Sequence, residues 1–205
     1  MLSINRYLAI WYFILLYFLK GQIDVPRSID SSLYFDIVHK DKVVGSLKAS
    51  QKIEGSKVYY QSFTSIKIQI IKDIQVNYKY DVTFENKILK KTDVKITLND
   101  KPHAETQTQW KDAQYKIAKN DKNEVVLKDN IDYSTILLYF EEPINIDRCY
   151  SEQDGSFNTI IPLGSHSYKK INSKGKENLY YYKKGVLKNT IIDGGLIHFQ
   201  MIARE

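Results

Sequence analysis

Apolar and polar side chains alternate along most of this chain with a period of two. In 76–84, "VNYKYDVTF", Val76, Tyr78, Tyr80, Val82 and Phe84 share one face, while Asn77, Lys79, Asp81 and Thr83 share the other. In 94–98, "VKITL", Val94, Ile96 and Leu98 point inward and Lys95 and Thr97 outward. Residues 58–70 line up Val58, Tyr60, Ile66, Ile68 and Ile70 on one side. Strict alternation means one dry face and one wet face, the pattern of an antiparallel sheet. Between these runs stand turn signals: "KDK" at 40–42, "EGS" at 54–56, "ENK" at 85–87, "NDK" at 99–101 and "KNDKN" at 119–123. "SKGKEN" at 173–178, "KKG" at 183–185 and "DGG" at 193–195 follow. Asn, Asp and Gly tolerate the backbone conformations that tight hairpins need. Such regular spacing describes a β-meander, with later hairpin strands over 157–162, 166–171, 178–183, 186–192 and 196–203.

A meander with a single apolar face must cover that face. The expected fold is mainly β, an antiparallel meander curled into a barrel or half-barrel, lipocalin-like in outline. One short helix is expected to pack on its concave face. Asp132 or Ser134 can cap such a helix, and "TILLYFEE" puts Ile136, Leu137, Phe140 and Tyr133 on one stripe. Pro143 disfavours its continuation. A strand over 135–140 is the alternative.

The first 21 residues do not alternate. Arg6 precedes an uncharged apolar run, Tyr7 to Leu19, shorter than the roughly 20 residues a helix needs to cross a bilayer. This is the layout of a Sec-type signal peptide over 1–21, with no stable transmembrane span, cleaved before Gln22. Residues 22–32 read as a lead-in and 33–205 as a single β-rich domain, a length that suits one core. Cys149 is the only cysteine in the chain, so no internal disulfide forms and no lipobox cysteine follows the signal. Together these features predict an exported protein, periplasmic or secreted. Loss of Arg6 and Lys20 with the signal lowers the formal charge from +6. The remaining lysines are interspersed with acids in runs such as "KNDKNE", so the basic balance predicts a solvated surface and no nucleic-acid partner.

Chemistry-bearing residues are sparse. Glu141 and Glu142 are neighbours, which on a strand face opposite ways and on a helix diverge by about 100°. They cannot make the facing carboxylate pair that glycosidic acid–base chemistry uses. Glu142, Glu152 and His166 remain polar candidates, and Cys149 with His166 is a conceivable nucleophile–base pair without a surrounding signature. His39, His103, His166 and His198 are scattered singly, and "EQDGS" lacks the later glutamate of a calcium loop, so no metal and no cofactor are expected. Catalytic residues are therefore not assigned. The aromatic inner face offers the other option, a cavity for a lipid or other apolar small molecule. Tyr78, Tyr80, Phe84, Leu137, Tyr139, Phe140 and Tyr182 are its candidate lining, with plain core packing as the competing role.

"LYFEEP" at 138–143, "SEQDGSF" at 151–157, "GSHSYKK" at 164–170 and "NLYYYKKGVL" at 178–187 resemble a family of exported bacterial proteins. It is chiefly found in Bacteroidota and known as a domain of unknown function. "YFDIVHKDKVVGSL" at 34–47, with Gly45 after a hairpin turn, fits its opening pattern. The resemblance spans roughly 32–204 and implies a secreted β-rich fold, with no catalytic or ligand residue to carry over. The leading expectation is non-enzymatic binding of an apolar ligand in the cell envelope. The alternatives are an envelope assembly or interaction module with a filled core, and a hydrolase built on Glu142, Glu152 or Cys149 with His166.

Overall fold

Six hairpins among the described residues close through two residues in the left-handed region: Lys40–Asp41, Asn86–Lys87, Asn99–Asp100, Asp112–Ala113, Ser165–His166 and Lys184–Gly185. Such turns carry the right-handed twist of the strands they join and so favour a continuously coiled sheet. The computed structural model describes residues 29–69, 73–120, 122–194 and 198–204. The segment 1–21 expected to be a signal peptide and most of the expected lead-in, like Ile70, lie outside the described residues.

The strands are β1 (Ile29–His39), β2 (Lys42–Glu54), β3 (Lys57–Gln69), β4 (Asp73–Glu85), β5 (Ile88–Leu98), β6 (Lys101–Lys111), β7 (Gln114–Lys119) and β8 (Lys122–Leu127). After a long connector come β9 (Arg148–Ser151), β10 (Ser156–Gly164), β11 (Ser167–Ile171), β12 (Glu177–Lys183), β13 (Val186–Asp193) and β14 (His198–Ala203). Residues 29–32, read above as lead-in, already belong to β1. All neighbouring strands are antiparallel, in one sheet ordered β8 back to β1, then β14 back to β9. Two meanders are thus sewn together where β1 meets β14, from Phe35 opposite Ala203 to Val38 opposite Gln200.

The alternation places the residues as it predicts. Tyr60, Val82, Phe84, Val94 and Ile96 are buried, and Tyr78 and Tyr80 are half-buried on the same face. Leu98 is an exception: at the end of β5 it remains 37% exposed. Two features of the expected fold are corrected. The sheet does not close, because β8 and β9 are its two edges and consecutive strands in sequence, so it is an open curl and not a lipocalin-like barrel. The short helix is also absent; residues Thr135–Tyr139 form a single 3-10 turn. Pro143 and the aromatic pair Tyr139–Phe140 leave "TILLY" no room to propagate, and isolated helices this short do not sustain themselves.

The connector 128–147 runs from one sheet edge to the other and dips into the concavity. It docks on β5, where Leu89 N donates to Ile131 O at 2.9 Å, and on β9, where Tyr150 N donates to Tyr133 O at 2.9 Å. Tyr133, Ile136, Leu137 and Leu138 are buried. Each such side chain contributes about 1.5–3 kcal/mol by leaving water. Because the connector bonds Leu89, two residues past the 86–87 turn, and His166 of the 165–166 turn, it plugs the end of the curl where those turns lie. The turns at 40–41, 99–100 and 152–155 mark the opposite end.

Candidate functional site

Of the seven predicted lining residues, five belong to the plugged half. Phe84 sits edge-on to Tyr60, with ring centroids 6.0 Å apart, and Phe140 covers the same Tyr60 at 5.2 Å. Tyr139 packs on Phe35 at 6.0 Å, and Leu137 is buried beside it in the turn. Tyr182 donates its hydroxyl to Leu138 O at 2.7 Å and meets Tyr168 edge-on. These five are packing. Tyr78 and Tyr80 differ, since they stand on β4 toward the opposite end, half-buried. Burial raises the pKa of both.

An apolar strip extends on either side of them. Across β14, β1, β2, β3, β4 and β5 the register sets Met201 opposite Ile37, Ile37 opposite Gly45, Gly45 opposite Ile66, Ile66 opposite Val76 and Val76 opposite Leu98. Ile68, Ile192 and Phe199 lie nearer the open end and are only half-buried. At Gly45 an added Cβ would lie 2.1 Å from Ser65 O, so only glycine allows β2 and β3 to approach there and bend the sheet.

The polar candidates separate into two places. Glu142 accepts from His166 Nδ1 and from the Tyr168 hydroxyl, both at 2.8 Å and both on Oε1. Its side chain is 4% exposed, whereas that of His166 is 61% exposed. Burial, then the bond to Glu142, pushes Tyr168 up to about 12. This cluster fastens the exit of the plug to the β10–β11 hairpin. Among the described residues no hydroxyl or thiol hydrogen-bonds His166.

Glu152 lies elsewhere, fully buried in the β9–β10 turn. Its Oε1 accepts from Ile136 N at 3.0 Å, so it caps the 3-10 turn from 16 residues away. The expected cap, Ser134, makes no side-chain cap bond. Burial raises Glu152; neighbouring Ser134, the Ile136 amide and Lys170 act the other way. Cys149 is also buried, 3.8 Å from Thr135 Oγ1, and burial pushes its thiol up to about 11 while Lys170 pulls it down. Cys149 and His166 thus have separate partners, and the nucleophile–base pair does not form.

Sequence reasoning missed Lys170. It is 7% exposed and stands on the inner face of β11. Burial lowers its pKa, but Tyr180, Cys149 and Glu152 together outweigh that and the net direction is up. Its signal was present in "SYKKI", where period two puts Lys170 on the same face as Tyr168. Also missed was a shallow polar cleft of about 480 Å³ on the outer face, bordered by Asp30, Ser50, Lys52, Tyr59 and Gln61. No group of three or more metal-ligating side chains occurs among the described residues.

These features define a class: an open, curled antiparallel sheet wound around its own connector, with one end plugged and an apolar strip at the other. A solved structure shares the fold, described as a beta-barrel-like protein of the domain of unknown function DUF1849 from Brucella abortus. It superposes with a TM-score of 0.53 at 9% identity, covering 87% of this chain and 97% of that one. By sequence, the chain belongs to the family of the domain of unknown function DUF6134, matched over residues 35–204. No curated protein matches it. Among the described residues, no helix is long and apolar enough to cross a membrane.

Proposed function

We propose that this protein is exported and binds an apolar ligand, such as an acyl chain, in the concavity at the unplugged end of its sheet. The observation that carries the reading is an asymmetry of burial. Inner-face residues at the plugged end, such as Phe84, Leu89 and Tyr182, are sealed by the connector. The equivalent strip at the other end, with Ile68, Val76, Tyr78 and Phe199, is half-open and apolar. A concave apolar wall with few polar groups is the usual form of a site for such ligands. The signal-like segment 1–21 supports export to the envelope, where lipid is the abundant apolar molecule. The test uses the delipidated chain with anilinonaphthalene sulfonate and native mass spectrometry. Probe fluorescence should rise on binding, and Ile68→Lys should abolish the rise without lowering the melting temperature. A flat fluorescence titration together with no co-purifying lipid would sink the reading.

A second reading, an assembly module with a filled core, draws on the plug itself, which occupies the other half of the concavity. It predicts that stripping lipid leaves thermal stability unchanged and that a defined envelope protein binds stoichiometrically.

A further inference from the structure

The polar cleft of about 480 Å³ on the outer face of β1–β3 lies on the side of the sheet away from the plug and the apolar strip. Cross-strand register builds it in rows. Asp30 stands opposite Lys52 and Lys52 opposite Tyr59; in the next row Ser32 stands opposite Ser50 and Ser50 opposite Gln61. One row further along, at the rim of the cleft, Tyr34 faces Lys48 and Lys48 faces Phe63. Period two puts all of these on one face, since their neighbours Phe35, Leu47, Ala49, Tyr60 and Ser62 are buried on the other. Tyr34 is 46% and Phe63 53% exposed, and the Lys48 ammonium lies 5.7 Å from the centroid of the Tyr34 ring. Two strand spacings, about 9–10 Å, separate Tyr34 from Phe63, and Tyr59 precedes Phe63 on β3 by four residues, about 13 Å.

We propose that this outer face is a second binding site, for a neutral oligosaccharide whose rings stack on Tyr34, Phe63 and Tyr59 and whose hydroxyls bond to Ser32, Ser50 and Gln61. Charge balance selects a neutral ligand. Asp30 and Glu54 in the cleft are matched by Lys52 and Lys48, with Lys52 and Glu54 paired at 2.7 Å. The flanking pairs Lys79–Asp81 and Arg204–Asp36 are neutral in themselves. A face without a dominant sign has no field to draw in a polyanion such as nucleic acid. The spacing of the rings selects against a lipid or an apolar protein surface. Lys48 and the serine–glutamine row stand between the aromatics and break the continuous apolar patch that such a partner covers. A sugar ring combines what the face offers: flat C–H faces that lie on aromatic rings, and hydroxyls that both donate and accept. Gln61 donates one N–H to Asp81 at 2.6 Å, which holds its amide in place with the carbonyl oxygen left to accept. The distance from Tyr59 to Phe63 calls for several linked sugars in place of one.

The experiment is affinity electrophoresis of the purified protein in native gels containing hydroxyethylcellulose, xyloglucan, galactomannan, laminarin or dextran, with polygalacturonate as the anionic polymer. A neutral polymer of this set should retard the wild type. Phe63→Ala and Tyr34→Ala should each weaken that binding roughly tenfold, the share of one stacked ring. Phe63→Tyr should retain it, and Val186→Ala, at an exposed position on β13, should leave it unchanged. Retardation by polygalacturonate alone, or by none of the polymers, overturns the proposal, and so does retardation that survives loss of both rings. The wild-type gels decide the question even if an alanine variant does not fold. Binding of the sulfonate probe in the concavity should be the same in all these variants, so failure of either site leaves the other standing.

Discussion

Cys149 shows how burial alone changes what a reactive residue does. Its thiol is pushed up to about 11, against about 8.5 in an unfolded chain. A group held more strongly protonated in the fold stabilises it fully below the unfolded value and loses that contribution as pH rises through the folded one. The window is therefore alkaline, from about 8.5 to about 11, and the loss is about 3 kcal/mol across it. Urea denaturation of wild type and Cys149→Ala should give a gap that favours wild type at neutral pH and closes or reverses by pH ~10.5. Parallel curves would show that the thiol is not shielded, as would fast reaction with a disulfide reagent in the native state. Glu142 offers a contrast at the same scale. Its carboxylate is buried and satisfies both Tyr168 and His166, but His166 is mostly in water. Glu142→Ala orphans a tyrosine hydroxyl and should cost about 1–3 kcal/mol. His166→Ala removes an exposed partner and should cost less than about 1 kcal/mol. Reversal of that order in chemical denaturation would refute the assignment of the carboxylate as the fastening group.

Strands were legible where side chains alternate, and turns where Asn, Asp or Gly announce them. The hairpins at Asp112–Ala113 and Ser165–His166 have the same left-handed geometry with only part of that signal, a single Asp112 or a preceding Gly164, because an alanine or a histidine can be forced there once the flanking strands pair. The segment "TILLY" misled for a related reason. Its helical stripe is real, but its partners surround it on β3, β9 and β13, so a turn that exposes every side chain to some wall replaces a helix with one buried face. Its cap comes from Glu152, a tertiary contact that no local pattern encodes. Gly45 is the element-scale feature with the sharpest consequence. Gly45→Ala drives a methyl into the backbone of β3 and should cost at least about 2–3 kcal/mol, the range for overpacking without room to relax. Gly55→Ala, at a turn with φ of +60° and open space, should cost about 1 kcal/mol. Equal thermal shifts for the two would mean that the β2–β3 approach is not fixed by Gly45.

At the scale of the whole molecule, a one-faced meander in sequence implies that something must cover the face, and this much was readable. What covers it was not. The curl is open, and the connector between its two edge strands does the work that barrel closure does elsewhere. Lys170 was overlooked for a different reason: it stands beside a lysine of identical appearance, and only the period-two alternation that puts it on the face of Tyr168 separates it from Lys169, which pairs with Glu177. Among the described residues the two meanders pair strands only along β1 and β14, they touch again where Thr108 shares a 2.7 Å hydrogen bond with the Tyr150 hydroxyl and Thr106 donates to Gln153 O, and the plug adds a third connection. Leu138, fully buried, carries that role: its carbonyl accepts from Tyr182 in the second meander, while Phe140 two residues on packs on Tyr60 in the first. Leu138→Ala should cost about 2–5 kcal/mol. If the plug couples the halves, native-state hydrogen exchange should show amides of β2–β5 and of β10–β13 losing protection by the same free energy in this variant. A loss confined to one meander would mean that the plug does not couple the halves.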